Sequence, residues 1–270
     1  MMKFDAKALV ILSGGQDSTT CLFWARKHFT EVHAITFDYG QRHAIEIEAA
    51  KQVAALAKVA SHEVVAIPNC LVSTSPLTSD AELEQYENPE QMAEVIGERV
   101  ELTFVPMRNM LFFTIAMNRA VALGCEHLVT GICQEDNANY PDCRNVFKDT
   151  FEFTANAALG TEGRSGRRNR FTVHAPLMFL SKAETVRLAY EDLPGCWEAL
   201  AYTHTSYDGK YPPTDMNHSN VLRADGFAKA NLPDPLVLRA YREGLMELPK
   251  TANYDHARGA GPLTTGKDAE

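Results

Sequence analysis

Leu9-Val10-Ile11-Leu12-Ser13-Gly14-Gly15-Gln16-Asp17-Ser18-Thr19-Thr20 is the stretch on which the fold turns. It reads as a short apolar strand, a tight glycine turn and the start of a helix. Val10 and Ile11 are β-branched and suit a buried strand of a parallel sheet. Gly14 and Gly15 allow backbone angles closed to other residues and let a ligand approach the main chain. Ser18, Thr19 and Thr20 offer hydroxyls where the first N–H groups of a helix lack internal partners. Such a turn suits an anion, most often phosphate. It is not a G-x-G-x-x-G turn, and it lacks the Gly-Lys-Ser/Thr of the ordinary P-loop.

Working outward, residues 19–27 carry apolar side chains at helical spacing. Residues 32–37 form a second strand at the distance expected of a βαβ unit. It runs into Asp38-Tyr39-Gly40-Gln41-Arg42-His43. Ligands collect at the C-terminal ends of parallel strands, so these polar residues are candidates for contact. Residues 44–58 are alanine-rich and helical, and 63–68 make a third strand. Residues 69–100 lose periodicity and are acidic. A stretch of this length reads either as an entrance lid or as a solvated excursion with one helix at 89–99.

A helix follows at 110–124, with Phe112 among its packing residues. Arg108 lies at the helix start, where a cation opposes the dipole and calls for an anionic partner. Asn109 stands beside it. The strand at 127–132 passes Gly131 and leads to the densest polar run in the chain, which contains Tyr140, Asp142, Cys143 and Arg144. A helix at 146–159, a basic glycine-rich loop at 160–170 and a strand at 171–177 complete the core. Ser181 and Glu184 have capping-box spacing. Lys182 sits at that helix start, a useful place for a lysine only if something negative is there. The pattern is α/β, a doubly wound parallel sheet. Residues 1–201 read as the α/β domain that carries the glycine turn, 202–248 as a small C-terminal loop and helix subdomain, and 249–270 as a disordered tail.

The chain has 270 residues and a formal net charge of −9. That charge argues against broad nucleic-acid binding without excluding a local basic patch. No apolar run is long enough to span a bilayer, and the first residues do not read as a signal peptide. A cytoplasmic location is the default expectation. The six cysteines (Cys21, Cys70, Cys125, Cys133, Cys143 and Cys196) are scattered, form no C-x-x-C pair and read as reduced thiols. Cys143 lacks a histidine partner nearby in sequence, so a nucleophilic role is disfavoured.

The Ser13–Ser18 turn resembles the pyrophosphate loop of the N-type ATP pyrophosphatases, which cleave ATP between its α and β phosphates. Ser13-Gly-Gly-Gln-Asp-Ser18, Phe37-Asp-Tyr-Gly-Gln-Arg-His43, Phe104-Val-Pro-Met-Arg-Asn109, Tyr140-Pro-Asp-Cys-Arg144, Pro176-Leu-Met178 and Ser181-Lys-Ala-Glu-Thr185 together resemble one branch, the 7-cyano-7-deazaguanine synthases. Met107 stands where that family usually has glycine. The resemblance covers residues 8 to about 230. It implies an adenine nucleotide alpha hydrolase-like fold and conversion of 7-carboxy-7-deazaguanine and ammonia to the nitrile through adenylates.

For this chain the resemblance implies that Leu12, Ser13, Gly14, Gly15, Gln16, Asp17, Ser18, Thr19 and Thr20, with Asp38 and Gly131, hold ATP. Ser13, Asp17, Ser18, Arg108 and Lys182 would serve catalysis, with Asp17 orienting Mg²⁺. Tyr39, Gln41, Arg42, His43, Asn109, Tyr140, Asp142 and Arg144 would bind the deazaguanine. A homodimer is the assembly the family brings. Family members also hold a structural zinc on four cysteines. The matching positions here are Ser206, Thr214, Asn217 and Asn220, none of them a normal zinc ligand. Zinc is therefore expected to be absent, with hydrogen bonds holding the loop. A replacement site on His204, Asp208, Asp215 and His218 is the less favoured alternative. The lost cysteines also leave room for a paralogue that stops at the amide or joins a deazapurine to DNA or protein. A third reading is a non-catalytic nucleotide-binding module.

Overall fold

The computed structural model describes residues 3–40, 45–68, 70–134, 139–161, 170–206 and 209–258. Its strands are β1 (Phe4–Ile11), β2 (Phe29–Asp38), β3 (Ser61–Ala66), β4 (His127–Val129) and β5 (Thr172–His174). They pair in parallel in the order β3-β2-β1-β4-β5. The α-helices are α1 (Gln16–His28), α2 (Ile45–Ala57), α3 (Pro89–Ile96), α4 (Arg108–Leu123), α5 (Asn145–Leu159), α6 (Lys182–Arg187), α7 (Cys196–Leu200), α8 (His218–Ala230) and α9 (Pro235–Arg242).

β1 is the central strand, with Val10 beside Ala34 of β2 on one edge and Val129 of β4 on the other. Its side chains alternate between the two faces. Ala8 and Val10 join a core with Leu22 of α1, Val53 of α2, Val186 of α6, Leu200 of α7 and Phe227 of α8. Leu9 joins the opposite core with Phe113 and Met117 of α4 and Phe151 of α5. The chain winds outward from β1 to β3, then crosses back and winds the other way through β4 and β5. The reversal leaves a crevice above the C-terminal ends of β1 and β4, where open α/β sheets bind their ligands.

Several details depart from the sequence expectations. Helix α1 starts at Gln16 rather than residue 19, because Gly15 is extended (φ −82°, ψ 173°) and acts as N-cap. Gln16, Asp17 and Ser18 therefore form its first turn. β4 and β5 are three-residue strands, shorter than the apolar runs that contain them. The 69–100 stretch is anchored, not merely solvated. Its helix α3 is capped by Asn88, which accepts from Gln91 N at 2.8 Å. Tyr86, Met92 and Ile96 bury against Val221 and Leu222 of α8. The tail expected from Pro249 is placed through residue 258: Ala252–Tyr254 is a short 3-10 turn, and the buried Tyr254 hydroxyl accepts from Asp234 N at 3.2 Å. Most of the basic loop, 162–169, lies outside the described residues. Among those described, no helix is long and apolar enough to cross a membrane.

Candidate active site

A cleft of about 290 Å³ opens above β1 and β4. Leu12, Ser13, Gly15, Gln16, Asp17 and Ser18 form its floor, and Gly131 closes it from the β4 side. The loop braces itself. The Ser13 and Ser18 hydroxyls lie 3.0 Å apart, Ser13 N donates to Ser18 Oγ at 3.2 Å, and Ser18 Oγ donates to Gly15 O at 3.2 Å. Gly14 has φ +89°, and a Cβ there would sit 2.3 Å from the Glu46 carbonyl oxygen. Its conformation is thus required by the close approach of α2, independent of any ligand. A Cβ on Gly131 would lie 3.0 Å from Ser18 N, so the turn after β4 packs directly on the start of α1.

Lys182 reaches across the cleft, its Nζ 2.8 Å from Asp17 Oδ2. Ser181 caps α6 with Glu184 in a reciprocal capping box, which fixes where Lys182 leaves the main chain. From behind, Gly226 of α8 allows that position: a Cβ at 226 would stand 2.5 Å from Lys182 Cγ.

Arg108 opens α4 on the opposite wall, and its charge acts on Tyr39, Glu46 and Asp142. These are the anionic or ionisable partners its position called for. Burial pushes the Glu46 carboxyl up to about 7, countered in part by Arg108. Burial likewise raises Tyr39 and Asp142 above their ordinary ranges, again opposed by Arg108. The raised Glu46 has a consequence for stability. Between the ordinary carboxyl value near 4.5 and about 7, the folded chain keeps a proton that the unfolded chain has released. Glu46 thus favours folding less as pH rises through that window, and levels off above it. Glu46→Gln removes this dependence. The stability difference between variant and wild type, read from urea titrations, shifts toward the variant from pH 5 to pH 8, by on the order of 2 kcal/mol.

The far end of the cleft is aromatic. Phe37 and Phe112 stack with centroids 4.3 Å apart and planes at 14°, and Tyr39 lies 5.4 Å from Phe112. Tyr140 faces the same space. Its hydroxyl bonds to Thr103 Oγ1 and to the buried Glu101 at 3.3 Å. Asn109 lines the cleft while its amide donates to the Asp142 carbonyl at 3.2 Å. Such a wall accepts a flat heterocycle on a face and reads its edge by hydrogen bonds.

The cleft thus gathers Leu12, Ser13, Gly15, Gln16, Asp17, Ser18, Tyr39, Arg108, Asn109, Gly131, Tyr140 and Lys182. Gly14, Thr19, Thr20, Asp38 and Asp142 are not among its lining residues. Thr19 and Thr20 are fully buried in α1, and Thr20 Oγ1 donates to Gln16 O at 3.0 Å. The Asp38 side chain accepts from Gly40 N at 3.3 Å. Asp142 braces the α4 start, with Oδ2 3.4 Å from Asn109 N. Arg144 lines a second hollow that shares Cys133, Tyr140 and Cys143 with the first. Gln41, Arg42 and His43 lie outside the described residues. Sequence reasoning missed Glu46, which looked like an ordinary acid in a helix's first turn. It assigned Phe112 to packing, although that ring faces the cleft. His204 and His218, weighed as metal ligands with Asp208 and Asp215, line the cleft with Thr205, Ser219 and Arg223, and Asp208 lies outside the described residues.

The family model for "Queuosine biosynthesis protein QueC" matches residues 7–231. The chain belongs to the QueC family. It is 47% identical over 231 residues to a 7-cyano-7-deazaguanine synthase of Gloeobacter violaceus, covering 85% of this chain and 95% of that one. It is 46% identical over 242 residues to a 7-cyano-7-deazaguanine synthase of Chromobacterium violaceum, covering 88% and 96%. Among solved structures, a 4-thiouridine synthetase in complex with RNA and ATP gives a TM-score of 0.44 at 14% identity, covering 82% of this chain and 53% of that one.

Met107 stands where the resemblance led us to expect glycine. It precedes α4 with φ +65°, in the left-handed region, and is 64% exposed. The strain of a side chain there, about 1–2 kcal/mol, exceeds what glycine adds to the freedom of the unfolded chain. Met107→Gly therefore stabilises the fold by about 1 kcal/mol or less, seen as a higher urea midpoint at constant slope.

The stretch that the resemblance aligned with zinc ligands does not fit a zinc ion. Ser206, Asn217 and Asn220 carry no thiolate or imidazole, and Thr214 is exposed. Among the described residues, no group of three or more His, Cys, Asp or Glu side chains converges to hold a metal. Ser206 and Asn217 instead bond to the Asp215 carboxylate.

Proposed function

We propose that this chain is a 7-cyano-7-deazaguanine synthase, an ATP-dependent ligase that forms carbon–nitrogen bonds. The observation that carries the reading is the Asp17–Lys182 pair above the glycine turn, in a QueC-family chain with an aromatic wall opposite. ATP would lie with its β and γ phosphates on Ser13–Ser18, where loop N–H groups and the helix start favour anions. Gln16 supports this, since its buried amide nitrogen belongs to a cleft-lining residue and has no hydrogen-bond partner among the described residues. The flat deazaguanine would rest against Phe37, Tyr39 and Phe112, with Asn109 and Tyr140 at its edge.

The chemistry follows from that arrangement. The substrate carboxylate attacks the α-phosphate, forming the acyl adenylate and releasing pyrophosphate. Lys182 and Arg108 offset charge as the phosphorus becomes five-coordinate. Ammonia then displaces AMP to give the amide. The amide oxygen takes a second adenylate from a second ATP, again with loss of pyrophosphate. Departure of that oxygen as AMP, with loss of two protons, leaves the nitrile. The Asp17 carboxylate is a hard oxygen donor suited to Mg²⁺, which when bound would neutralise charge on the departing pyrophosphate. We take the setting to be cytoplasmic, in keeping with cysteines that are not joined in disulfides.

The test is product analysis with 7-carboxy-7-deazaguanine, ammonia and ATP. AMP and pyrophosphate should appear only when all three are present, and the base product should weigh one water less than the amide. Release of ADP, or turnover indifferent to the deazaguanine, would overturn the reading. An amide end product would assign the chain to the amide-stopping alternative.

A further inference from the structure

Three of the four residues at the positions the resemblance matched to zinc ligands converge on one carboxylate. Ser206 Oγ, Asn217 Nδ2 and Asn220 Nδ2 all donate to the Asp215 carboxylate. Asn220 Nδ2 also reaches the Asp215 carbonyl at 3.1 Å, and Asn217 Nδ2 lies 3.4 Å from Ser206 Oγ. A carboxylate can accept about four hydrogen bonds, and bonds to an ionised acceptor are the stronger kind. Ser206 and Asn217 are each about 1% exposed, so their polar atoms need partners inside the protein. Asp215 also precedes the start of α8, where the helix dipole favours a negative charge. Asn217 caps that helix, accepting from Asn220 N at 3.1 Å.

The cluster is joined to the cleft by continuous bonds. Asn217 Oδ1 accepts from Ser219 Oγ at 2.7 Å, and the same hydroxyl lies 2.8 Å from the Thr205 carbonyl. Thr205 Oγ1 accepts from Arg223 at 2.8 Å. One residue earlier, His204 N donates to Gly14 O at 2.9 Å, in the glycine turn itself. Thr205, Ser219, Arg223 and His204 all line the cleft. A cluster that sets residues 204–206 therefore also sets the back of the pyrophosphate loop.

We propose that Asp215 is a positioning residue that takes the place of a structural metal: its carboxylate is the hub that ties residues 204–206 to the start of α8 and so holds the cleft wall against Gly14. The nucleotide arm of the test rests on the ATP reading above; the metal arm does not. Purified wild type should contain less than about 0.1 zinc per chain by elemental analysis, and EDTA should leave its melting temperature unchanged. Asp215→Ala should raise the KM for ATP about tenfold or more, with kcat changed less than about threefold, whereas Asp215→Glu should restore part of the loss. Ser206→Ala, which removes one donor and leaves the hub, should raise the KM for ATP two- to fivefold, and it carries the test if Asp215→Ala does not fold. Stoichiometric zinc whose removal lowers the melting temperature would overturn the proposal. So would an unchanged KM for ATP in a folded Asp215→Ala or in Ser206→Ala. A wild type that does not use ATP would refute the functional reading, and the zinc and EDTA results would still decide the hub.

Discussion

Replacing Lys182 with alanine should lower kcat/KM for ATP by about a hundred- to a thousandfold, the scale seen when one charge-stabilising group is lost from a transition state. The side chain leaves a fixed helix start and meets Asp17 at 2.8 Å. Without it, the developing negative charge on the phosphate faces the Asp17 carboxylate with no ammonium between them. Both groups keep some solvent access, so folding is affected far less than turnover. Lys182→Arg keeps the charge but brings a wider, planar head into a space set by Gly226, and it should recover only part of the rate. Steady-state kinetics with a pyrophosphate-coupled readout checks each value. A Lys182→Ala enzyme within tenfold of wild type would remove this residue from the chemistry.

Arg223→Ala should cost about 3–5 kcal/mol of folding free energy, the range for removing one partner of a buried ion pair. The guanidinium forms a two-pronged pair with Asp234, at 2.6 and 2.8 Å, and both side chains are 4% exposed. It also donates to Thr203 Oγ1 and Thr205 Oγ1 at 2.8 Å and to the Leu200 carbonyl at 3.3 Å. Asp234 in turn caps α9 through Leu236 N at 2.9 Å. Removing the arginine thus strands a buried carboxylate and releases the 200–205 segment together. Lysine at 223 cannot reproduce the fork, so Arg223→Lys should retain less than half of the lost stability. Urea unfolding gives the comparison directly.

Much of the cleft floor was legible in the sequence, because its signals are local. The apolar run before Ser13 and the glycine turn announced a strand and a helix start within twelve residues. Ser181 and Glu184 announced a helix start, and through it the placement of Lys182. Arg108 was legible as a cation in need of a partner, but the partner was not, since Glu46 comes from a helix far back in the chain. The segment from Thr203 to Arg223 was least legible. Its order depends on Arg223 finding Asp234 and on Ser206 finding Asp215, pairings that have no periodicity to betray them. The 69–100 stretch was obscure for a related reason: Tyr86, Met92 and Ile96 are too few and too spaced to mark a core until α8 is in place.

The bond from His204 N to Gly14 O also bears on how the protein comes into being on the ribosome. The glycine turn emerges after β1 and before the other strands of the sheet, and those strands can assemble around it while synthesis continues. The peptide that backs the turn is made after every described strand of the sheet. A nascent chain halted before Thr203 would carry an assembled sheet with an unsupported turn, and it should not retain nucleotide. Competence to bind ATP would then follow the making of residue 204 and not the closing of the sheet alone.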